Sequence, residues 1–224
     1  MGGFFGVFFV LLATGVPIAL ALGVGGMGYL FLSGNGAVLL ALPQRMMAGV
    51  DQFILLTIPL FLLAGMLMNV GGITDRIVEF ARAMVGHRRG GLSSVTVLSA
   101  GFFAGISGSA TAEASALGSI LIPTMARQGI PKAYAAALVG VSSIMGPIIP
   151  PSITMIIFGV LSGVSIGQLF IAGVMPGILL ALGLLIYAGW RARRDGFPIT
   201  DKMGWADRRR ATVRTLPALI LPLI

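Results

Sequence analysis

Two short segments of this chain carry residues that could bind an ion, and each interrupts a long apolar stretch. The serine segment (residues 105–111) reads Gly-Ile-Ser-Gly-Ser-Ala-Thr, and the proline segment (residues 146–152) reads Gly-Pro-Ile-Ile-Pro-Pro-Ser. Proline cannot continue a helix, and each helix end leaves backbone carbonyl groups free. Hard cations such as Na⁺ take oxygen ligands, so the two segments together predict an ion site.

Hydroxyl side chains in and near the two segments would supply further oxygen ligands. The candidates are Ser107, Ser109, Thr111, Ser142, Ser143 and Ser152. A different interpretation is that small residues only let helices pack closely, and a single break would favour that interpretation. Because two breaks occur, the sequence favours an ion site.

Glu113 lies two residues after the serine segment and is the only acidic residue inside an apolar region. A carboxylate within a membrane is costly to bury and usually has a function. Three roles are open for it: ligation of an ion, solvation in a cavity beside the serine segment, or pairing with a lysine or arginine.

The tetrapeptide Gly105-Ile-Ser-Gly108 also matches the Gly-x-Ser-Gly loop of intramembrane serine proteases. Such an enzyme requires a histidine base within hydrogen-bonding reach of the serine. The only histidine, His87, lies in an arginine-rich interfacial loop, and the chain has no cysteine. A protease is therefore a remote alternative, and we predict that the protein is not an enzyme and has no catalytic residues.

The elements that position the two segments are membrane helices. Of the 224 residues 57% are apolar and 10% are charged, against about 25% charged in soluble domains. Charged residues are absent from residues 1–44, 52–74, 90–112 and 133–190. A helix of roughly 20 apolar residues crosses a bilayer, so the sequence predicts an all-α polytopic membrane protein with broken helices.

The net charge of +8 comes from Lys and Arg residues that stand in short blocks between apolar runs. Such blocks stay in the cytoplasm and orient membrane proteins, so they predict contact with lipid and not with nucleic acid. The chain then divides into six segments: scaffold-like membrane helices (1–71), an amphipathic interfacial helix (72–90), a transport-type hairpin with a proline-broken helix (91–165), a membrane helix (166–190), a basic cytoplasmic loop (191–214) and the truncated start of a next helix (215–224).

The first of these segments contains three apolar stretches. Pro17 predicts a bent or two-part span over residues 4–32, which would leave the N-terminus in the cytoplasm if this run crosses once. Residues 37–50 are too short to cross and predict an interfacial or re-entrant piece, whereas residues 53–70 predict a full span. In the next segment, a helical stripe of apolar residues predicts the amphipathic helix: Ile73, Ile77, Phe80, Ala81 and Met84.

The serine segment lies at the centre of residues 91–125, between two blocks of positive charge. If both blocks are cytoplasmic, 35 residues must enter the membrane and return, which predicts a re-entrant helical hairpin. Lys132 then starts a crossing that the proline segment breaks. At helical rise, Gly146 lies ~21 Å beyond Lys132 and Ser107 lies ~24 Å beyond Gly91, so the two segments should reach equal depth and touch.

Seven blocks of sequence, in this order, resemble the large membrane subunit of TRAP transporters (tripartite ATP-independent periplasmic, DctM-like). The resemblance extends over essentially all of residues 10–190. The blocks are Gly15-Val-Pro-Ile-Ala-Leu-Ala-Leu-Gly23, Phe61-Leu-Leu-Ala-Gly-Met-Leu-Met68, Gly86-His-Arg-Arg-Gly-Gly-Leu92, Ser107-Gly-Ser-Ala-Thr-Ala112, Gly118-Ser-Ile-Leu-Ile-Pro-Thr-Met125, Gly146-Pro-Ile-Ile-Pro-Pro-Ser152 and Leu169-Phe-Ile-Ala-Gly-Val-Met-Pro-Gly177.

This resemblance implies a Na⁺-driven importer of organic acids in the bacterial inner membrane, with no cofactor and with Na⁺ as the coupling ion. It implies two partners, a small membrane subunit and a periplasmic substrate-binding protein. It also implies an elevator mechanism and a fold of two inverted repeats, of which this chain would be the first half. The rivals are another Na⁺/carboxylate symporter that needs no binding protein and, less favoured, a channel.

The resemblance also assigns roles to individual residues. The Ser107-Gly108-Ser109 turn would contribute to a Na⁺ site, and Gly146 and Pro147 would offer carbonyl ligands from the opposite side. Together the candidate ion- and substrate-binding residues are Ser107, Gly108, Ser109, Thr111, Gly146, Pro147, Pro150 and Ser152, with Ser107, Ser109, Gly146 and Pro147 as the Na⁺ ligands.

Overall fold

The structure, a computed structural model, describes residues 2–34, 38, 40–200 and 203–220. Within these residues the backbone consists of helices, turns and one isolated bridge between Arg89 and Ile199. The predicted all-α fold is confirmed. The chain forms two compact units, residues 1–52 and 53–224.

The first unit contains three helices and the second contains eight, within the described residues. The helices are α1 (Gly2–Ala13), α2 (Ile18–Leu32), α3 (Leu42–Val50), α4 (Thr57–Val70), α5 (Ile73–Val85), α6 (Gly91–Ser107), α7 (Ala110–Arg127), α8 (Lys132–Ser142), α9 (Ile153–Ser162), α10 (Ile166–Arg194) and α11 (Trp205–Ile220). Short 3₁₀ turns precede α4 (Phe53–Leu56) and follow α8 (Ser143–Met145).

In the first unit, α1 and α2 fold back on each other. Of the two predicted forms of residues 4–32, bent or two-part, the structure shows the two-part form. Because its helices fold back, it does not support the single crossing on which a cytoplasmic N-terminus depended. Gly15 has a left-handed φ of 81°, and the N–H groups of Gly15 and Val16 bond to the carbonyls of Leu12 and Leu11. These bonds satisfy the end of α1 and reverse the chain before Pro17, so Phe4 packs on Gly25 instead of pointing away from it.

Two helices in the described part are long and apolar enough to cross a membrane, Phe53–Val70 with its 3₁₀ start and Ile166–Arg194. The first matches the predicted span. α5 matches the predicted amphipathic helix, with Ile77 and Ala81 fully buried and Met84 43% exposed. Its buried face packs on α6 and α11.

The hairpin of α6 and α7 forms the centre of the second unit. The two helices pack along their lengths, and at the end opposite the turn Thr96 Oγ1 donates to Met125 Sδ over 3.6 Å. Gly129, with φ 80°, then closes α7 with the same bond pattern that ends α1, and the chain enters α8 directly. Both ends of the hairpin therefore lie at one end of this unit, as the predicted return requires.

The segment after α10 binds this same end of the unit. The N–H of Gly90 donates to the carbonyl of Pro198 over 3.0 Å, and the rings of Tyr134 and Phe197 stack edge-on with centroids 5.3 Å apart. The predicted boundaries need correction here. α10 continues to Arg194 and α11 already begins at Trp205, because residues 205–214 have good helix formers and no glycine or proline. The expected loop over residues 191–214 thus shrinks to about ten residues. Residues 221–224 lie outside the described part.

Candidate functional site

The hairpin turn is formed by only two residues, Gly108 and Ser109. α6 ends at Ser107, Gly108 adopts a left-handed φ of 56°, and Ser109 is extended and caps α7. The Ala112 N–H donates to Ser109 Oγ over 3.5 Å, and Ser109 Oγ lies 3.1 Å from Thr111 Oγ1. The non-helical tip is narrower than residues 105–111, since Gly105 and Thr111 both continue helices.

The proline segment breaks the helix that begins at Lys132, as predicted. α8 ends at Ser142, a 3₁₀ turn follows, and α9 begins after Ser152. Ser152 is fully buried, donates to the Pro147 carbonyl over 2.7 Å and accepts from the Met155 N–H over 3.3 Å. Its hydroxyl therefore closes the break and caps α9, which is a structural role.

The hairpin tip and the proline segment are in direct contact. A Cβ built on Gly108 would lie 2.9 Å from the Pro151 carbonyl oxygen and 3.2 Å from the Ile153 nitrogen. A Cβ built on Gly146 would lie 3.1 Å from the Ser109 carbonyl carbon. The predicted contact is confirmed, and the Cα atoms of Ser109 and Pro147 are at most about 10 Å apart, given 3.8 Å between consecutive Cα atoms.

Two glycines of α10 hold the proline segment from its other side. A Cβ built on Gly173 would lie 2.5 Å from the Ile148 carbonyl oxygen, and one on Gly177 would lie 2.6 Å from Ile149 Cγ1. A Gly-x-x-x-Gly spacing is frequent by chance in a chain with 33 glycines, so the sequence did not single out this pair. The structure shows that this pair of glycines lets the proline segment pack closely against α10.

Glu113 lies on the first turn of α7 beside this contact. Its side chain is fully buried, and Oε2 lies 2.8 Å from a Cβ built on Gly146. Neither carboxylate oxygen has a hydrogen-bond partner among the described residues, and the nearby helix α8 carries a second buried, unpartnered oxygen, Ser142 Oγ. The ion pair found in the described part is Arg191–Asp195, so pairing of Glu113 with a basic residue is not borne out. Burial likewise argues against solvation in an open cavity.

The candidate residues do not all meet. Gly108, Ser109 and Gly146 lie at the contact, whereas Thr111 is on an exposed face of α7. Ser107 lies at the tip, where its Oγ accepts from the Ser109 N–H over 3.5 Å. It is buried and also lines a cavity of about 90 Å³ beside α4, with six neighbours: Leu62, Gly65, Met66, Asn69, Phe103 and Ala112. Phe61 of α4 also presses on Gly108, with Cε1 3.0 Å from its built Cβ, and no local sequence signal indicated that role.

The arrangement does not support a serine protease. Ser107 stands at the last residue of α6, and His87 precedes the first residue of the same helix. At helical rise the length of α6 separates them by ~24 Å, far beyond the hydrogen-bonding reach that a catalytic base needs.

Comparison with known proteins gives one family. The family model for the tripartite ATP-independent periplasmic transporter, DctM component, matches residues 5–224. The 2,3-diketo-L-gulonate TRAP transporter large permease protein of Escherichia coli is 41% identical over 213 residues, 95% of this chain and 50% of that protein. The C4-dicarboxylate TRAP transporter large permease protein of Rhodobacter capsulatus is 37% identical over 219 residues, 91% of this chain and 49% of that protein.

A third relative carries a different substrate in its name. The sialic acid TRAP transporter large permease protein of Vibrio cholerae is 36% identical over 214 residues, 96% of this chain and 50% of that protein. The chain thus spans about half the length of the curated relatives it matches.

Proposed function

The chain belongs to the DctM component family of tripartite ATP-independent periplasmic transporters, and from this premise we propose that it forms part of the large permease of a Na⁺-coupled importer of organic acids. The observation that carries the proposal is the contact between the hairpin tip and the proline segment. Two helix breaks that touch can share one ion, because its ligands must converge within a few ångströms.

The helix ends at this contact suit a cation and an anion at once. α6 ends at Ser107 and the 3₁₀ turn after α8 ends at Met145, so two carboxyl-terminal ends approach each other. Such ends carry partial negative charge from unpaired carbonyls and favour Na⁺. α7 and α9 begin at the same contact, and their amino-terminal ends favour the carboxylate of a substrate.

The residues present fit a hard cation. Ser107 and Ser109 offer hydroxyl oxygens, and Gly146 and Pro147 offer carbonyl oxygens from the opposite side of the contact. The Pro147 carbonyl already accepts a hydrogen bond from Ser152, which fixes its direction and leaves a second lone pair. Thr111 and Pro150 lie next to these groups along the chain and would shape the substrate side. When bound, Na⁺ would couple transport to the energy of its gradient. The hairpin tip and the proline segment would be the two surfaces that enclose it.

The distribution of charge supports a multi-pass orientation in the bacterial inner membrane. Basic residues gather at the end of the second unit where the hairpin returns, namely Arg88, Arg89, Arg127, Lys132, Arg191, Arg193 and Arg194. Such a cluster marks the cytoplasmic side. The hairpin would then be re-entrant, with its tip near mid-membrane and both ends in the cytoplasm.

Two partners complete the proposal, a small membrane subunit and a periplasmic substrate-binding protein. The relatives are named for diketogulonate, C4-dicarboxylates and sialic acid, which are all carboxylates. A carboxylate substrate agrees with the two helix amino-terminal ends at the contact. An elevator movement would carry the hairpin and the proline segment together.

Uptake by the whole transporter in proteoliposomes tests the proposal. We expect accumulation of a carboxylate only when an inward Na⁺ gradient and the binding protein are both present. Equal uptake with K⁺ in place of Na⁺ would refute the coupling. Equal uptake without the binding protein would instead favour the rival symporter.

A further inference from the structure

Glu113 lies at the contact and is not among the proposed Na⁺ ligands. Resting on the proposed function, we propose that the Glu113 carboxylate is the anionic ligand of the coupling cation, which binds between the first turn of α7 and Gly146. The cation would be monovalent, and Na⁺ is the ion we commit to.

Glu113 is fully buried, and neither of its oxygens has a hydrogen bond within the described residues. A buried charge is retained in proteins when it is paired or coordinates a metal ion. A carboxylate in this position therefore calls for a positively charged partner in the working protein.

Basic side chains on α7, and on α8 that packs against it, lie at the ends of these helices that are far from the contact. Arg127 on α7 is 14 residues from Glu113, and Lys132 on α8 is 14 residues from Gly146. Each distance corresponds to ~21 Å at helical rise, too far for an ion pair. A cation from solution can reach the Glu113 carboxylate, whereas these basic side chains cannot.

The Glu113 carboxylate is packed closely against Gly146. Its Oε2 lies 2.8 Å from a Cβ built on Gly146, so the carboxylate uses space that the glycine leaves open. The buried hydroxyl of Ser142, on the helix that packs against α7, also has no partner. Oxygens of these kinds, a carboxylate and a hydroxyl beside helix carboxyl-terminal carbonyls, are the ligands a hard cation takes.

A charged ligand also has a physical advantage inside the membrane. A monovalent cation held only by neutral oxygens carries its full charge into low dielectric, whereas one paired with Glu113 forms a neutral site. The affinity of oxygen sites for cations rises with the number of charged ligands. Removing the charge while keeping the shape should therefore weaken cation binding strongly.

The experiment measures Na⁺ binding without transport. The whole transporter, purified in detergent, is heated in increasing NaCl at constant ionic strength with choline chloride, and the unfolding midpoint gives an apparent Na⁺ affinity. Glu113→Gln keeps the size of the side chain and removes its charge. Glu79→Gln is the matched control, since Glu79 lies on the exposed face of α5.

We expect Glu113→Gln to weaken the apparent Na⁺ affinity by roughly tenfold or more and Glu79→Gln to leave it unchanged. In choline alone Glu113→Gln should unfold at or above the wild-type temperature. Unchanged Na⁺ affinity in Glu113→Gln would overturn the assignment, because a carboxyl that simply carries a proton is mimicked by the amide. A clear fall in the choline midpoint would also overturn it, by showing a structural partner.

The outcome separates this inference from the proposed function. If wild-type protein shows no stabilisation that is specific to Na⁺, the coupling and the ligand assignment both fail. If wild type and Glu113→Gln respond equally while Ser109→Ala does not, the coupling stands and the role of Glu113 is refuted.

Discussion

The chain contains two helical hairpins whose turns have similar backbones and different surroundings. α1 and α2 are joined through Gly15, with φ 81°, and α6 and α7 are joined through Gly108, with φ 56°. Among the described residues no atom lies within 4 Å of a Cβ built on Gly15, whereas three lie within 3.2 Å of one built on Gly108. The first turn is open, and the second is enclosed by the proline segment and Phe61.

The comparison shows that a helix break is not by itself a binding site. Both turns carry a hydroxyl residue, Thr14 in the first and Ser109 in the second, and both leave helix ends. Within the residues that the structure describes, the second turn faces another break and the first does not, so oxygens and helix ends from distant parts of the chain converge at the second turn. The following predictions test whether this enclosure gives the second turn its function.

The largest effect is expected from Gly108→Ala, compared with Gly15→Ala. Both changes place a side chain at positive φ, which costs about 1–2 kcal/mol. Only Gly108→Ala also forces the Pro151 carbonyl and Phe61 aside, which should add about 1–3 kcal/mol and separate the tip from the proline segment. Unfolding midpoints and Na⁺-driven uptake of the two variants, each in the whole transporter, measure the difference.

Gly108→Ala should abolish most uptake, while Gly15→Ala should keep it. Similar losses of uptake in the two variants would mean that backbone strain alone causes the loss. The enclosure of the Gly108 turn would then make no contribution to function.

The next largest effect is expected from a change in the packing of the proline segment, which contacts the hairpin tip. Gly177→Ala pushes Ile149 of the proline segment away from α10, and we expect destabilisation by about 1–3 kcal/mol together with weaker uptake. Gly183→Ala is the control on the same helix, because no described atom lies within 4 Å of its built Cβ. It should be neutral or stabilising by up to about 1 kcal/mol through helix propensity. Equal unfolding midpoints of Gly177→Ala and Gly183→Ala would show that packing of the proline segment against α10 does not contribute to stability.

The smallest effect on stability, and the most specific on function, is expected from Ser109→Ala compared with Thr14→Ala. Loss of one ligand oxygen should cost Na⁺ binding about 1–3 kcal/mol, seen as a shift of uptake to higher Na⁺ concentration. Thr14 Oγ1 only donates to the Leu11 carbonyl in the open turn, so its loss should leave the Na⁺ dependence unchanged.

Ser109 also caps α7, and that contribution must be separated from ligation. The cap bond is long, 3.5 Å, and Ser109→Thr keeps the hydroxyl for both roles. The Na⁺ dependence should therefore return in Ser109→Thr. An unchanged Na⁺ dependence in Ser109→Ala would exclude this hydroxyl from the ion site.

Much of the fold follows from local features of the sequence. The proline segment breaks its helix because proline lacks an N–H group, and Gly108 ends α6 because glycine accepts a left-handed φ. The charge-free runs predicted membrane helices, and helical spacing from Gly91 and Lys132 placed the two breaks at matching distances from one end. The contact between them followed from that arithmetic and is present in the structure.

Other features depended on residues that are distant in sequence. Residues 4–32 could bend or fold back after Gly15, and the packing of Phe4 on Gly25 decided for folding back. The basic residues of 205–214 favour a cytoplasmic loop, yet this stretch forms the start of α11, whose Thr215 donates to the carbonyl of Arg76 on α5. In each case the local sequence allowed two conformations and a tertiary contact selected one.

The sequence by itself determined that this protein is a helical membrane protein with two breaks rich in oxygen ligands, because composition and backbone chemistry act within a few residues. Only the tertiary structure showed that Glu113 lies against Gly146 with no hydrogen-bond partner among the described residues, and that Gly173 and Gly177 pack against the proline segment. Close packing of this kind depends on the shapes of surfaces from α7, α10 and the proline segment. A single stretch of sequence does not indicate this packing, because the sequence around each glycine or carboxylate is the same whether or not another helix packs against it.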